Sequence, residues 1–262
     1  MWCAKRGTSW LEGGVTVDAA SRLEARLIEA IRSCGQKPSD DQPQAGKKNY
    51  NEKLSAAVAL ALAQELRDRG MVEARPSGPG EVGASGAERR LAGGIGAKKV
   101  DVSWATEESG LLLALSVKTI LFRDARSRNF QKNLTNRRAD LLNEAVTLHR
   151  RFPYAVLSAF LIFDKDAAED GTARRKSTFT NAGPRLRLFT GRQDPSGRDE
   201  QYEKFYLALV DSNVFKPTIE VYEANDLVNP VSLDQMMIDL VALVGERNFD
   251  LYEGVDGIVR KA

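Results

Sequence analysis

The apolar positions of the chain follow two periods, and the boundaries between them mark the elements. In residues 18–34, "DAASRLEARLIEAIRSC", Leu23, Leu27, Ile28 and Ile31 recur at helical spacing, with Asp18 as N-cap and Gly35 just past the end, which predicts an amphipathic helix. A second helix is predicted over residues 50–69, where "LSAAVALALAQEL" is apolar almost all round and therefore packs deeply; Gly70 ends it. Further helices are expected near residues 134–150 and over 232–246, "SLDQMMIDLVALVGE". Strands are expected at residues 99–104, 111–121, 204–211 and 218–224. The continuous apolar run "YAVLSAFLIF" at 154–163 reads as a strand buried on both faces. The order helix, strand, strand, helix, strand predicts an α/β fold with a central mixed sheet flanked by helices.

Two segments break the pattern. Residues 36–48, "QKPSDDQPQAGKK", are polar and interrupted by proline, and read as a linker that separates an N-terminal helical part (1–48) from a main domain (49–262). Residues 75–97 are rich in glycine and proline and read as a long loop, either a flexible connector or a bare backbone that approaches a phosphate strand. "GGIG" within it matches neither phosphate-loop pattern.

Composition narrows the class of function. The chain has 262 residues, enough for one sizeable core, and a net charge of only +2. That charge is unevenly spread. Lys118 to Arg151 holds nine Lys or Arg against three acids, and Asp211 to Ile258 holds ten acids against Lys216 and Arg247. A face built from the middle of the chain is therefore expected to meet a polyanion. With Cys3 and Cys34 as its two cysteines, no secretory apolar segment and no run long enough to cross a bilayer, the chain reads as a soluble cytoplasmic protein. The single histidine, His149, leaves little material for a His/Cys zinc site or a Ser-His-Asp triad. Chemistry here falls to carboxylates, Lys, Arg and hydroxyls.

Those groups concentrate in "KKVDVSWATEESGLLLALSVKTILF", residues 98–122. Strand alternation puts Val100, Val102 and Trp104 on one face and Asp101 with Ser103 on the other; in the next strand Leu113, Leu115 and Val117 oppose Ala114, Ser116 and Lys118. Paired as a hairpin around "EESG", the two strands bring Asp101, Ser116 and Lys118 to one polar spot. A structural Asp101–Lys118 ion pair in an ordinary sheet would satisfy the same pattern.

This stretch resembles the core of the PD-(D/E)xK nuclease superfamily, in which a hairpin presents an Asp and then an acid-x-Lys triplet. The resemblance covers the helix at 50–69 and residues 98–163, and implies a restriction-endonuclease-like core. Asp101 matches the metal-binding Asp and Lys118 the motif lysine. Val100 stands where Pro is usual, and Ser116 where the second acid is expected. Some restriction enzymes of the superfamily also read Ser-Val-Lys and draw the missing carboxylate from the following helix. Here that helix offers Asp140 and Glu144, one stripe with Asn136; Arg137 is placed to pair with Asp140, which leaves Glu144 the preferred replacement. Glu52 matches the upstream acid that many members contribute, although an acid at a helix start also suits the helix dipole.

The resemblance thus implies a Mg²⁺-dependent endonuclease acting on double-stranded DNA, type II restriction-like and homodimeric. Its metal would be held by Asp101, Glu52, Glu144 and Asp140, and its catalytic set would be Asp101, Lys118, Ser116 and Glu144. The DNA-binding candidates are Arg123, Arg126, Arg128, Lys132, Asn136, Arg137 and Arg138, because Arg and Asn can clamp phosphates or read purine edges. A catalytically inactive DNA-binding protein and a nuclease effector acting on RNA are the alternatives.

Overall fold

The computed structural model describes the backbone at residues 19–78, 89–92 and 96–262; the readings made for Asp18, Cys3 and most of the 79–95 stretch lie outside the described residues. The first helix, α1 (Ala19–Ser33), buries Leu23, Leu27 and Ile31 as its spacing predicts. The second, α2 (Gln44–Asp68), begins at Gln44 and not at residue 50. Proline causes the difference. Pro43 sits at the N-cap, where its missing N–H costs nothing, and its carbonyl accepts from Gly46 and Lys47. Part of the expected linker is therefore helical, and the boundary expected at 48/49 falls inside α2.

The helix ends as the sequence indicates. Gly70 has φ +96, and a Cβ there would stand 2.2 Å from the Val259 carbonyl oxygen, so only glycine fits. Arg22 and Arg26 of α1 bind Glu65 of α2, a fully buried carboxylate that Arg69 also reaches, and Arg69 continues to Asp234. These bonds fasten α1 to α2.

The glycine-rich stretch is not all loop. A strand, β1 (Arg89–Ala92), pairs antiparallel with β2 (Ala97–Val100). "RRLA" has too little apolar alternation to signal a strand.

Then come β3 (Val102–Thr106), β4 (Gly110–Ile120), α3 (Gln131–His149), β5 (Val156–Asp164), α4 (Thr178–Leu186), β6 (Lys204–Asp211), β7 (Thr218–Glu223), α5 (Leu233–Arg247) and a terminal hairpin of β8 (Tyr252–Val255) with β9 (Ile258–Lys261). Neither α4 nor the terminal hairpin is expected from the pattern; α4 contains Pro184, and the hairpin strands have four residues each. Strand order in the main sheet is β3-β4-β5-β6-β7, with β4, β5 and β6 parallel to one another and the two edge strands antiparallel to their neighbours. The fold is α/β, with a five-stranded mixed sheet flanked by helices.

Each face of the sheet supports its own core. On one side Leu113, Leu115, Val117 and Phe160 pack with α1, α2 and α5; on the other Ala114, Ala159, Leu161 and Phe163 pack with α3 and α4. All nine residues of β5 are buried, as its continuous apolar run requires. Among the described residues no helix is long and apolar enough to cross a membrane.

One expected strand, 99–104, is broken at its acid. The chain bends at Asp101, so that Val100 joins one core while Val102 and Trp104 join the other, contrary to the shared face expected for them. The Asp101 carboxylate accepts from the Val117 backbone N–H at 2.7 Å, satisfying with a side chain what a ladder partner would otherwise satisfy.

Candidate active site

The β3–β4 register pairs Val102 with Leu115, which sets Asp101 beside the Ser116–Lys118 segment. Lys118 Nζ lies 2.8 Å from Asp101 Oδ2. From the other side α3 crosses beneath β4, and its inward-facing Glu144 places Oε2 3.6 Å from the same ammonium. Ser116 donates its hydroxyl to Glu144 Oε1. The hairpin and the following helix therefore bring Asp101, Ser116, Lys118 and Glu144 together in one cluster.

Burial shapes the electrostatics. The Glu144 carboxyl is raised above its usual range, because burial outweighs the lowering by Lys118 and by the Ser116 hydroxyl. For Lys118 burial alone would lower the ammonium; the charges of Glu144 and Asp101 outweigh it and leave the group raised. Lys118 is thus held as a cation between two carboxylates. A neighbour that sequence reasoning missed is Tyr202, fully buried, whose hydroxyl donates to the Leu141 carbonyl at 2.9 Å and whose phenol burial pushes well above the ordinary value. It interacts with Ser116 and Glu144 from beyond β5, and a lone Tyr far along the chain carries no spacing signal.

The other expected metal ligands stand elsewhere. Glu52 is 65% exposed and pairs with Lys48 one turn before it, at 3.7 Å. Asp140 is 54% exposed and pairs with Arg137 at 3.3 Å. Residues four apart on a helix drift by about 40° around its axis, so Asp140 stays in solvent while Glu144 turns under the sheet. Among the described residues no three His, Cys, Asp or Glu side chains form a group that could hold a metal ion by themselves. The four-carboxylate set reduces to two, Asp101 and Glu144. Mg²⁺ is commonly held by one or two carboxylates, with waters and substrate oxygens completing its shell, and Asp101 and Glu144 supply that number, with the Lys118 ammonium now between them.

The expected DNA-binding residues surround the end of β4. Arg126 is exposed and its side chain has no partner among the described residues, whereas Arg128 pairs with Asp41 and Lys132 with Asp124. Arg123 binds Asp166 and stacks on Phe130. Arg138 lies over Phe189, and Arg137 reaches the Thr119 carbonyl. Asn136 is exposed on α3 and lines a cleft between α2 and α3. That cleft, of about 630 Å³, opens between the first turns of the two helices, floored by Thr119–Phe122 directly after Lys118. A larger one, about 860 Å³, lies at the opposite end of the hairpin over Trp104 and Tyr252, away from the cluster.

His149 is structural. Its ring is buried with Nδ1 against the Asp199 carbonyl and Nε2 against Glu203, a carboxylate that also meets Arg192 and Arg247.

Comparison with protein-family models, with curated proteins and with solved structures finds no match to this chain.

Proposed function

We propose that the protein is a Mg²⁺-dependent endonuclease that hydrolyses phosphodiester bonds of double-stranded DNA with sequence specificity, on a restriction-endonuclease-like core. The observation that carries this reading is the meeting of Asp101, Lys118 and Glu144, with Ser116 standing in the hairpin and its missing carboxylate supplied by α3. Two carboxylates and an ammonium share one largely buried spot at the end of the hairpin, where desolvating three charges is costly.

Asp101 and Glu144 would hold the metal. A Mg²⁺ ion held there would supply a lowered pKa to an attacking water and stabilise charge on the phosphate. Lys118, kept protonated by its two neighbours, serves to neutralise a phosphate oxygen more than to remove a proton. Ser116 orients Glu144 through its hydroxyl. The water oxygen forms the new P–O bond as the bond from phosphorus to the leaving sugar oxygen breaks; the water gives up its proton to solvent and the leaving oxygen takes one up. Cutting both strands of a duplex suits a two-fold symmetric homodimer.

A second reading is a DNA-binding protein without catalysis on the same fold. The reduction of the carboxylate set to two, with Lys118 bridging them, favours it. Incubation of supercoiled plasmid with the protein and Mg²⁺ decides between them. Discrete fragments, lost in Asp101→Asn and in EDTA, support the nuclease; intact plasmid under conditions where the protein binds it supports the second reading.

A further inference from the structure

The cleft beside the cluster is bounded by two elements, and the sequence pointed to only one of them. On the α3 side stand Lys132 and Arg137; on the α2 side stand Lys47, Lys48 and Asn51; Arg123 rises from the floor. Its lining carries five cations against two carboxylates, Glu52 and Asp124. Both carboxylates are engaged: Asp124 with Lys132 at 2.9 Å, and Glu52 with Lys48 at 3.7 Å. Lys47 is buried, with its ammonium on the Asp40 carbonyl, so the exposed cation of the α2 wall is Lys48, 74% exposed. The floor is continuous with Lys118 through Thr119 on β4.

We infer that the first turns of α2 form the second wall of a nucleic-acid cleft, in which Lys48 contacts a backbone phosphate and Glu52 acts as the counter-charge that weakens this contact. A phosphodiester strand leaving the Asp101–Lys118 cluster enters this cleft between Lys48 on one wall and Lys132 and Arg137 on the other, each held in an ion pair that a phosphate oxygen competes for. Arg123 and Arg137 also reach acids outside the lining, Asp166 at 3.0 Å and Asp140 at 3.3 Å, so the cleft offers a ligand with repeating negative charge a row of exchangeable surface pairs, to which the amides of Asn51 and Gln44 add donors. Glu52 stands outside the carboxylate pair, so its effect on the ligand runs through Lys48. A surface pair of this kind contributes little to the fold, which leaves both residues open to substitution. The inference rests on the nuclease reading for the identity of the polyanion.

Fluorescence anisotropy with labelled duplex DNA, single-stranded DNA and RNA, in EDTA and across a salt series, tests it without cleavage. Lys48→Ala is expected to weaken binding and to reduce the slope of log affinity against log salt by about one unit. Glu52→Gln is expected to act oppositely, tightening binding about two- to fivefold at low salt. Lys216→Ala, on the acidic C-terminal part, serves as the control that leaves both unchanged. Equal slopes in wild type and Lys48→Ala, weaker binding in Glu52→Gln, or no binding of any of the three polymers would overturn the cleft. A plasmid-cleaving protein with an indifferent Lys48 would lose the cleft and keep the nuclease. Binding through Lys48 without cleavage under Mg²⁺ would do the reverse.

Discussion

Replacement of Lys118 by Met removes the charge and keeps most of the side-chain volume. In the native protein the ammonium sits 2.8 Å from Asp101 and 3.6 Å from Glu144. Removing one partner of a fully buried pair costs about 3–5 kcal/mol, because the remaining charge is left uncompensated. Here Lys118 and Asp101 keep 17% and 20% of their side-chain surface in solvent, which brings the expected cost down to about 2–3 kcal/mol. For a chain of this length that is a fall of about 5–10 °C in Tm, and the protein stays folded. The cost also depends on pH. Burial already raises Glu144, and without Lys118 it rises further. A carboxyl raised in the folded state contributes stability below its unfolded pKa and loses it as pH rises through the folded value, so the deficit of the variant grows from mildly acidic to neutral pH. Urea denaturation in EDTA at pH 5 and pH 7.5 measures both effects. Addition of Mg²⁺ should then recover part of the loss, since a cation replaces a cation. A variant as stable as wild type at pH 7.5 in EDTA would refute the view that Lys118 compensates two buried carboxylates.

Three other outcomes follow from the same geometry. Glu144→Gln should abolish plasmid cleavage while Asp140→Asn leaves it within about threefold, since Asp140 forms only a surface pair of the kind that contributes about 0–1 kcal/mol; the reverse pattern in a cleavage assay would move the metal site one turn earlier. Arg126→Ala should reduce the salt slope of DNA binding by about one unit, and Arg128→Ala by less, because Arg128 is already paired with Asp41; equal slopes in titration would place both off the interface. Arg192→Met should destabilise the fold by about 3 kcal/mol or more in urea titration, since it takes a fully buried cation from Glu203; an unchanged midpoint would mean that Arg247 and His149 alone balance that carboxylate.

How much of this was legible in the sequence depends on the range of the interaction. Periodicity along the chain determined the helices, the alternation of β4 and the doubly buried β5, because each reports which faces of one element are dry. It also determined the Asp101–Lys118 convergence, since a tight hairpin fixes the register of its two strands. The bend at Asp101 was not legible, because it arises from a side chain substituting for a backbone acceptor. The choice between Asp140 and Glu144, which share a stripe, was legible only as a preference for Glu144 drawn from the spacing of Arg137 to Asp140. Only the docking of α3 beneath β4 turned Glu144 onto Lys118 and left Asp140 to Arg137. Glu52 has the right residue type at the right end of its helix, yet the packing of α2 points it into a cleft with Lys48. Tyr202 reaches Leu141, and Glu203 gathers His149 and Arg247, from dozens of positions away. Such contacts carry no spacing along the chain, since their distance is decided by how the sheet and helices pack and not by the residues between them.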